Sequence, residues 1–374
     1  MRKFKWNHYI NYIVIGILTI VLSVMTLTGG LNQSLLYLLE KIAISIILAV
    51  SLSLVVGFLG ELSLGHAGFM CVGAYLGGKV SALLVESLGN TPLNFIISLL
   101  VGGAAAAVCG IIIGIPALRL RGDYLAIVTL AFGEIVKSIF QNTSSESFGG
   151  AIGLSTPRYD KKTFFIFAFI LVLITLAIVQ NLIRSKHGRA ITSIRDNEIA
   201  ARASGINVTK YKLLAFTLSA TFAGIAGVLY SFSNYTVQSA KFGYNYSIEI
   251  LVMVVLGGMG SINGSIIAAA LITFLNTKLA TILTGDLAVL QNLLYAVILI
   301  LIVVYNNAPA LKSFRDRYNI GVLLKKIRRH DPSHVKDDAA KWDVVPTKIE
   351  MNEVLSIDLT PQDKQDLTGN GGEK

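Results

Sequence analysis

The sequence predicts an all-α membrane protein, a polytopic helical bundle with about ten transmembrane helices, some of them short or broken. Three observations predict this class. The mean hydropathy is +0.66, well above what a soluble domain needs to fill its core. Apolar runs of about 20 residues, the length that crosses a bilayer as a helix, recur along the chain. Basic residues cluster in the short polar segments between these runs, as the positive-inside rule describes.

The first apolar run, from Ile10 to Thr28, follows a basic head, as in a signal peptide. It is long enough to span the membrane and no small-residue cleavage pattern follows it, so we predict a retained first helix. The other predicted spans are residues 34–58, 64–84, 93–115, 123–140, 163–183, 212–232, 262–282 and 288–307, with a shorter candidate at 244–257.

Charge sets the predicted orientation. The basic N-terminus, residues 1–5, is predicted to be cytoplasmic, and alternation then places residues 141–162 outside and residues 184–212 inside. The segment 184–212 carries seven Lys or Arg against two acids, and residues 308–330 also contain seven basic residues. Two cytoplasmic segments are joined by an even number of crossings, so 244–257 counts as a short or broken span.

The composition changes after Asn307. Residues 1–307 form the predicted transmembrane domain, and residues 308–374 form a polar cytoplasmic tail. Because the end of this tail has too few apolar residues to build a core, we predict that the tail is largely disordered. It is interpreted as a solvated appendage, and a regulatory role stays open.

Several functional classes are excluded or weakened by the residues themselves. The net charge of +10 does not indicate nucleic-acid binding, because no basic face with interleaved aromatic residues is found. The basic clusters fit the headgroups of membrane lipid instead. Cys71 and Cys109 lie inside apolar runs and predict no disulfide framework.

The stretch "GAYLGGKV", residues 73–80, matches a nucleotide-binding loop except at its last position. Val80 stands where that loop needs Ser or Thr to hold Mg²⁺. Because the stretch lies in a predicted span, we interpret its small residues as helix-packing positions. The sequence predicts no cofactor and no metal site, so uphill transport would need an ion gradient or a separate ATPase.

One segment, "GRAITSIRDNEIAARASGIN" at 188–207, is polar and rich in small residues within this apolar chain. It predicts a helix of about two turns, capped by Asp196 and ended by Gly205 at the first position after the helix. A helix this short is marginal alone, so we expect it to pack against another surface. On these residues alone, an ordinary loop whose charges enforce topology is an equal alternative.

Four blocks of the sequence resemble one family. They are "SKHGRAITSIRDNEIAARASGINVTKYKLLAFTLSATFAGIAGVLY" (185–230), "GFLGELSLGHAGFMCVGAYLGG" (57–78), "LRLRGDYLAIVTLAFGEI" (118–135) and "LGGMGSINGSIIAAAL" (256–271). Together they resemble the M-type permease subunit, LivM, of branched-chain amino acid ABC transporters. The resemblance covers roughly residues 35–305, and the tail after it inherits nothing from the family.

The resemblance implies an importer in a bacterial or archaeal cell (inner) membrane. Two permease subunits, of H and M type, would dock two ABC ATPase subunits inside and receive substrate from an extracytoplasmic binding protein. The chain itself would be a transport subunit and not an enzyme. The residues implied to contact the ATPase are Gly188, Arg189, Arg195, Asp196, Asn197, Glu198, Ala201 and Gly205.

The translocation path is harder to place, and two residues are candidates. Glu134 is ionisable inside a predicted span, which favours a functional role, although it could simply reach water near Lys137. His66 could line a polar path or be a structural histidine.

Two further segments have open roles. The glycines Gly257, Gly258 and Gly260 could absorb backbone rotation during gating or merely make a tight turn. The external loop 141–162 is Ser- and Gly-rich, like a mobile loop. We hypothesise that it meets the binding protein, and a plain linker is the alternative.

Other functions stay open. A self-sufficient secondary transporter would need ion-coupling residues deep in the membrane, of which few are found beyond Glu134. A membrane enzyme should show clustered carboxylates or histidines, and none is found. Within the family, an importer of urea or short-chain amides shares almost all of these motifs.

Overall fold

The computed structural model describes residues 10–27, 32–120, 123–157, 159 and 161–282, together with residues 293, 296, 297 and 300. The basic N-terminus and the tail 308–374 lie outside the described residues, as does nearly all of the span predicted at 288–307.

The described chain is almost entirely helical. Its helices are α1 Ile10–Leu27, α2 Gln33–Ser53, α3 His66–Leu88, α4 Pro92–Ala117, α5 Asp123–Asn142, α6 Ser145–Phe148, α7 Lys161–Arg184, α8 Lys186–Asp196, α9 Glu198–Ala203, α10 Val208–Ser233, α11 Tyr244–Gly257 and α12 Ile262–Ile282. Two strands, β1 Leu154–Ser155 and β2 Thr236–Val237, pair antiparallel, and a 3₁₀ turn covers Ser239–Phe242.

Seven helices in the described part of the chain are long and apolar enough to cross a membrane, namely α2, α3, α4, α5, α7, α10 and α12. The 14-residue α11 is apolar but shorter. The predicted all-α multi-pass bundle is therefore confirmed. The count of about ten spans stays a prediction, because the span at 288–307 falls almost wholly outside the described residues.

Much of the outer surface of the bundle is apolar. In α4 and α12 only 28% of the apolar window is buried inside the protein. Large aliphatic side chains such as Leu100, Ile112 and Ile267 are more than half exposed. In water such a surface would be costly, so these helix faces fit contact with lipid chains.

Close backbone contact holds α3 against α10. A Cβ atom at Gly73 would overlap the backbone of Gly224, and one at Gly227 would overlap the carbonyl of Met70. Small residues at a helix crossing let the two backbones approach, which favours van der Waals packing in a membrane. Since "GAYLGGKV" lies within α3, its interpretation as a helix-packing stretch agrees with these contacts.

The end of α2 departs from regular helix. Residues Leu54–Leu59 form a π-helix that stops at Gly60, whose φ of +79° is in the left-handed region. Residues 60–65 then run without helix to the start of α3. Because π-helical turns are uncommon and frequently occur at functional sites, this junction is a candidate for mechanical movement.

The predicted external loop 141–162 is better anchored than its composition suggests. β1 pairs with β2, which follows the end of α10. The Thr156 hydroxyl donates to the carbonyl of Ser231 at 2.6 Å, and the Tyr159 hydroxyl donates to the carbonyl of Thr91 at 3.0 Å. These bonds tie the loop to two helix ends, whereas a Ser- and Gly-rich sequence suggested a mobile segment.

Candidate coupling segment and polar cavity

The helix α8 is capped at its start and buried along one face. The Ser185 hydroxyl accepts hydrogen bonds from the backbone N–H groups of His187 and Gly188 at 3.1 and 3.3 Å. Such a cap satisfies N–H groups that have no partner within the helix. The buried face consists of Gly188, Ala190, Ile191 and Ile194, so the polar face is left outside.

The short helix α9 is capped by Asn197, whose side-chain oxygen accepts from the N–H of Ala200 at 3.0 Å. The prediction that Asp196 caps this helix is wrong. Asp196 is the last residue of α8, and its carboxylate instead accepts from the guanidinium of Arg195 at 2.9 Å. An amide oxygen caps a helix as well as a carboxylate does, so the sequence alone did not separate the two.

Gly205 ends α9 as predicted. Its φ is +81°, and its N–H donates to the carbonyl of Arg202 while the N–H of Ile206 donates to the carbonyl of Ala201. These two bonds form a Schellman motif, which favours glycine because other residues avoid this backbone conformation.

Lys212, near the start of α10, joins α9 to the connection between α2 and α3. Its ammonium contacts the carboxylate of Glu61 at 2.5 Å and that of Glu198 at 3.0 Å. The Lys212 side chain is 5% exposed. Arg202 adds an ion pair with the other oxygen of Glu198 at 2.8 Å. A buried ammonium between two carboxylates is a directional link, because removing any partner leaves a buried charge uncompensated.

Arg195 makes the second link. It donates to the carbonyl of Gly57 in the π-helix at 3.1 Å, while its other N–H groups bind Asp196. Its aliphatic part packs on Gly60, where a Cβ atom would overlap it, and its guanidinium lies close to Gly260. One side chain of α8 therefore bonds to the end of α2 and lies beside the turn between α11 and α12.

Most residues predicted to couple to an ATPase lie at the surface. Arg189, Arg195, Asp196, Asn197 and Gly205 are exposed, Glu198 is half-buried, and Gly188 and Ala201 are buried. The sequence reasoning missed Ile199, which is 77% exposed between these polar groups. A lone isoleucine in "DNEIAARA" was the available signal, since the other residues of that stretch are charged, polar or alanine.

The predicted gating glycines form a tight turn between α11 and α12. Gly258 and Gly260 have φ values of +90° and +83°. Gly257 packs directly on Gly264, leaving no room for a Cβ atom on either residue. The geometry of this turn explains why glycine stands at these positions. Whether the turn also moves during gating stays a prediction.

His66, the first residue of α3, is 2% exposed. Its Nε2 lies 2.8 Å from the hydroxyl of Ser51, which donates its proton to the carbonyl of Leu48 at 2.9 Å. The hydrogen bond between Ser51 and His66 joins α2 to α3. This contact fits a structural histidine, and the predicted role in the path stays a prediction.

Glu134 reaches across from α5 to the start of α11. One carboxylate oxygen accepts from the N–H of Tyr244 at 2.8 Å, and the other pairs with Lys137 at 2.9 Å. Negative charge is favourable at a helix N-terminus, so Glu134 holds α11 in place. The expected proximity to Lys137 is found, and a role in the translocation path stays a prediction.

A cavity of about 910 Å³ lies in the half of the bundle remote from α8 and α9, and we call it the distal cavity. One face of α2 lines it with Ser34, Tyr37, Lys41, Ile44 and Ser45, and one face of α12 with Thr273, Asn276, Thr277, Ala280 and Thr281. The remaining lining is Tyr230 and Asn234 at the end of α10, Lys241 and Phe242 of the 3₁₀ turn, and Tyr246 and Glu249 of α11.

The distal cavity was missed by the sequence reasoning, although a signal was present. The lining residues of α12 follow the spacing of one helix face, and four of the five are polar. Polar stripes and ionisable residues inside membrane helices usually face a water-filled space. Lys41 and Glu249, which lie within predicted spans, were the further clue.

Comparison with known proteins identifies the family of this chain. Residues 34–303 match the family model described as "Branched-chain amino acid transport system / permease component". The chain belongs to this permease family. No group of three or more His, Cys, Asp or Glu able to hold a metal is found in the part of the chain that the structure describes.

Individual relatives include two proteins named "High-affinity branched-chain amino acid transport system permease protein LivM". The chain is 39% identical to the Salmonella typhimurium protein over 261 residues and 38% identical to the Escherichia coli protein over 260 residues. Each match covers 61% of this chain and 60% of the relative. The permease thus spans about three fifths of their length. It is also 28% identical to the Escherichia coli "Ribose import permease protein RbsC" over 79% of this chain and 92% of that one. No solved structure matches the chain.

Proposed function

We propose that the chain is the M-type permease subunit of an ATP-binding cassette importer for branched-chain amino acids. With a second, H-type permease it forms the translocation path, and an extracytoplasmic binding protein delivers the substrate. Two ABC ATPase subunits supply the energy, so this subunit is not an enzyme. Family membership over residues 34–303 and the names of the LivM relatives support this proposal.

The observation that carries the proposal is the surface of α9. Ile199 is 77% exposed and stands among charged and polar groups. A helix of six residues is marginally stable, and exposing a large apolar side chain to water does not stabilise it. An apolar anchor surrounded by charged residues is the arrangement that protein interfaces use. The partner is a cytoplasmic ATPase subunit, into whose groove Ile199 inserts.

The links behind α9 carry movement into the membrane domain. Lys212 ties α9 to α10 and to Glu61. Arg195 ties α8 to the π-helical end of α2 and lies beside the turn at Gly260. When the ATPase subunits close on ATP, they displace α8 and α9 together. The attached helices then tilt as rigid bodies between outward-open and inward-open states.

Orientation completes the proposal. The chain lies in a bacterial or archaeal cell (inner) membrane. Its cytoplasmic parts are the N-terminus, the segment 184–212 and the tail 308–374, and the loop 141–162 faces the binding protein. In this arrangement His66 and Glu134 shape the translocation path by positioning α3 and α11. The turn between α11 and α12 moves together with Arg195, and this movement is allowed by its glycines, Gly257, Gly258 and Gly260.

A second candidate substrate is a sugar. Similarity to a ribose import permease covers 79% of this chain, against 61% for the match to LivM, and this favours a sugar importer as the second candidate. Both importers would dock ATPase subunits, so the docking test below is independent of the substrate.

The test is purification of the full chain from its native membrane in detergent, with quantification of the ATPase subunits that accompany it. In Ile199→Asp, a carboxylate would enter an apolar groove, and we expect the amount of bound ATPase to fall at least about tenfold. Ile152→Asp is the matched control, because Ile152 is 76% exposed in the loop 141–162.

The control also tests orientation. We expect Ile152→Asp to keep its ATPase subunits and to lose stimulation of ATP hydrolysis by the binding protein. ATPase recovery that is equal in the two variants would contradict docking at α9.

A further inference from the structure

Building on the proposed importer, we propose that the distal cavity binds the transported amino acid in its zwitterionic form. The ammonium of Lys41, with that of Lys241, receives the substrate carboxylate, and the carboxylate of Glu249 receives the substrate ammonium. The aliphatic side chain of the substrate lies against Ile44 and Phe242. The site thus belongs to the substrate path of the importer and selects amino acids over neutral sugars and amides.

The first support is the size and position of the cavity. Its volume of about 910 Å³ lies within the range of small-molecule sites in proteins, roughly 300–1,000 Å³. It lies between α2, α10, α11 and α12. The π-helical end of α2, the start of α10 and the turn between α11 and α12 approach α8 and α9 in the segment 184–212, which we call the coupling segment. A displacement of α8 therefore reaches the walls of the cavity through continuous helices.

The second support is the charge of the lining. Two lysines, Lys41 and Lys241, line the cavity, and within the described part of the chain neither makes an ion pair. Lys41 Nζ instead lies 4.6 Å from the centroid of the Tyr37 ring. A cation within a membrane helix is costly and usually faces a polar path or a bound anion, so the ammonium of Lys41 in α2 favours a ligand with a carboxylate. Lys241, exposed in the 3₁₀ turn, adds a second positive charge to the same lining.

The third support is a carboxylate in the same cavity. Glu249 accepts a hydrogen bond from the side-chain amide of Asn276 at 3.0 Å, so its position is fixed by α12. With cations and an acid in one space, the lining has both charges that a zwitterion needs. A sugar or urea has neither charge to offer these groups.

The fourth support is a hydroxyl without a partner. Thr273 is 7% exposed and lines the cavity, and its Oγ1 has no hydrogen-bond partner among the described residues. Buried polar groups nearly always have a partner, which is water or a ligand where the protein supplies none. Ile44 and Phe242, both buried, give the cavity its apolar side.

The test uses the full chain in membrane vesicles, with Thr277→Cys as a reporter within the cavity lining. A charged methanethiosulfonate reagent modifies thiols that water reaches, and the chain with Thr277 intact gives the background from Cys71 and Cys109. We expect leucine to slow the modification and ribose and urea to leave it unchanged. Two analogues of leucine, 4-methylpentanoate without the ammonium and isopentylamine without the carboxylate, should each protect less.

Variants of Lys41 test the assignment of the carboxylate site. In Lys41→Gln the leucine concentration needed for protection should rise at least about tenfold, equivalent to about 1.4 kcal/mol, since a charge-assisted contact is lost. Lys41→Arg should keep protection. Lys278→Gln is the matched control, because Lys278 is exposed on α12 outside the cavity lining and contacts the Phe274 ring.

Several outcomes would overturn the proposal. They are a reporter cysteine that never reacts, a reactive cysteine that leucine does not protect, equal protection by ribose or urea, and unchanged protection in Lys41→Gln. Should Lys41→Gln fail to insert, the comparison of leucine with its two analogues decides. The thiol assay needs neither ATPase subunits nor a binding protein. Leucine uptake by the importer without protection of the cysteine at position 277 would therefore refute only the binding site in the distal cavity. Protection by leucine without docking of an ATPase subunit would refute only the proposed importer.

Discussion

The coupling segment and the distal cavity use charged residues in opposite ways. At the coupling segment, Lys212 contacts two carboxylates and Arg195 binds a backbone carbonyl and Asp196. In the distal cavity, Lys41 lies over an aromatic ring, and no ion pair involves it or Lys241 in the described chain. Charges that are already paired hold helices together, whereas charges that face a polar space are available to a ligand.

This difference can be tested through stability. Substitutions at the coupling segment should destabilise the fold, because they leave buried partners uncompensated. Substitutions in the cavity should change ligand binding and leave the fold nearly as stable as before. The following substitutions are ordered from the largest expected effect on the free energy of unfolding to the smallest.

Lys212→Met should have the largest effect. It leaves Glu61 and Glu198 close together without the ammonium between them, a loss of about 3–5 kcal/mol for a buried pair. Chemical denaturation of the purified chain in detergent measures it. Lys210→Met, two residues earlier and exposed, is the control and should behave as the parent does. A similar stability for both variants would mean that Lys212 is not a structural link.

Arg195→Lys should have the next largest effect. Lysine keeps the charge but cannot reach Gly57 and Asp196 with separate N–H groups, and losing hydrogen bonds of this kind costs about 1–2 kcal/mol. The same denaturation experiment measures the loss. We also expect ATP hydrolysis of the assembled importer to become less dependent on the binding protein. A variant indistinguishable from the parent in both assays would remove Arg195 from the mechanical link.

Glu134→Ala should cost about 1 kcal/mol, because the N–H of Tyr244 at the start of α11 loses its acceptor. Glu134→Gln keeps an oxygen acceptor and should cost less. Denaturation distinguishes the two variants, and leucine uptake by the importer provides a second measurement. A large loss of uptake in Glu134→Gln with unchanged stability would instead support the predicted role of Glu134 in the translocation path.

Lys41→Gln should have the smallest effect on folding, within about 0.5 kcal/mol of the parent, because only the contact with the Tyr37 ring is lost. The loss of leucine protection in the thiol assay should nonetheless be large. A strongly destabilised Lys41→Gln chain would show that this lysine is structural, and the contrast between the two regions would then disappear.

The sequence was sufficient where local rules decide. Gly205 was identified from its position after a short helix, and the packing role of "GAYLGGKV" followed from its place inside an apolar run. Asp196 was chosen as a cap over Asn197 because both residue types cap helices and only the backbone geometry separates them.

Contacts between distant parts of the chain could not be predicted. Glu134 caps a helix that begins 110 residues later, and Lys212 meets a glutamate 151 residues earlier. The distal cavity is made from four helices and a 3₁₀ turn, so the sequence showed only separate signals of it, namely the polar stripe of α12 and two charged residues, Lys41 and Glu249, within predicted spans. Ile199 was overlooked because one isoleucine in a short helix gives no periodic pattern.

The most direct measurement of the central claim is photo-crosslinking from position 199 in the native membrane. A photoreactive amino acid replaces Ile199, and the crosslinked chain is identified by mass spectrometry, with the same replacement at Ile152 as the control. We expect position 199 to crosslink to a subunit with a nucleotide-binding loop and position 152 to a different protein. Crosslinking of position 199 only to lipid, or to the same protein as position 152, would contradict docking of an ATPase at α9.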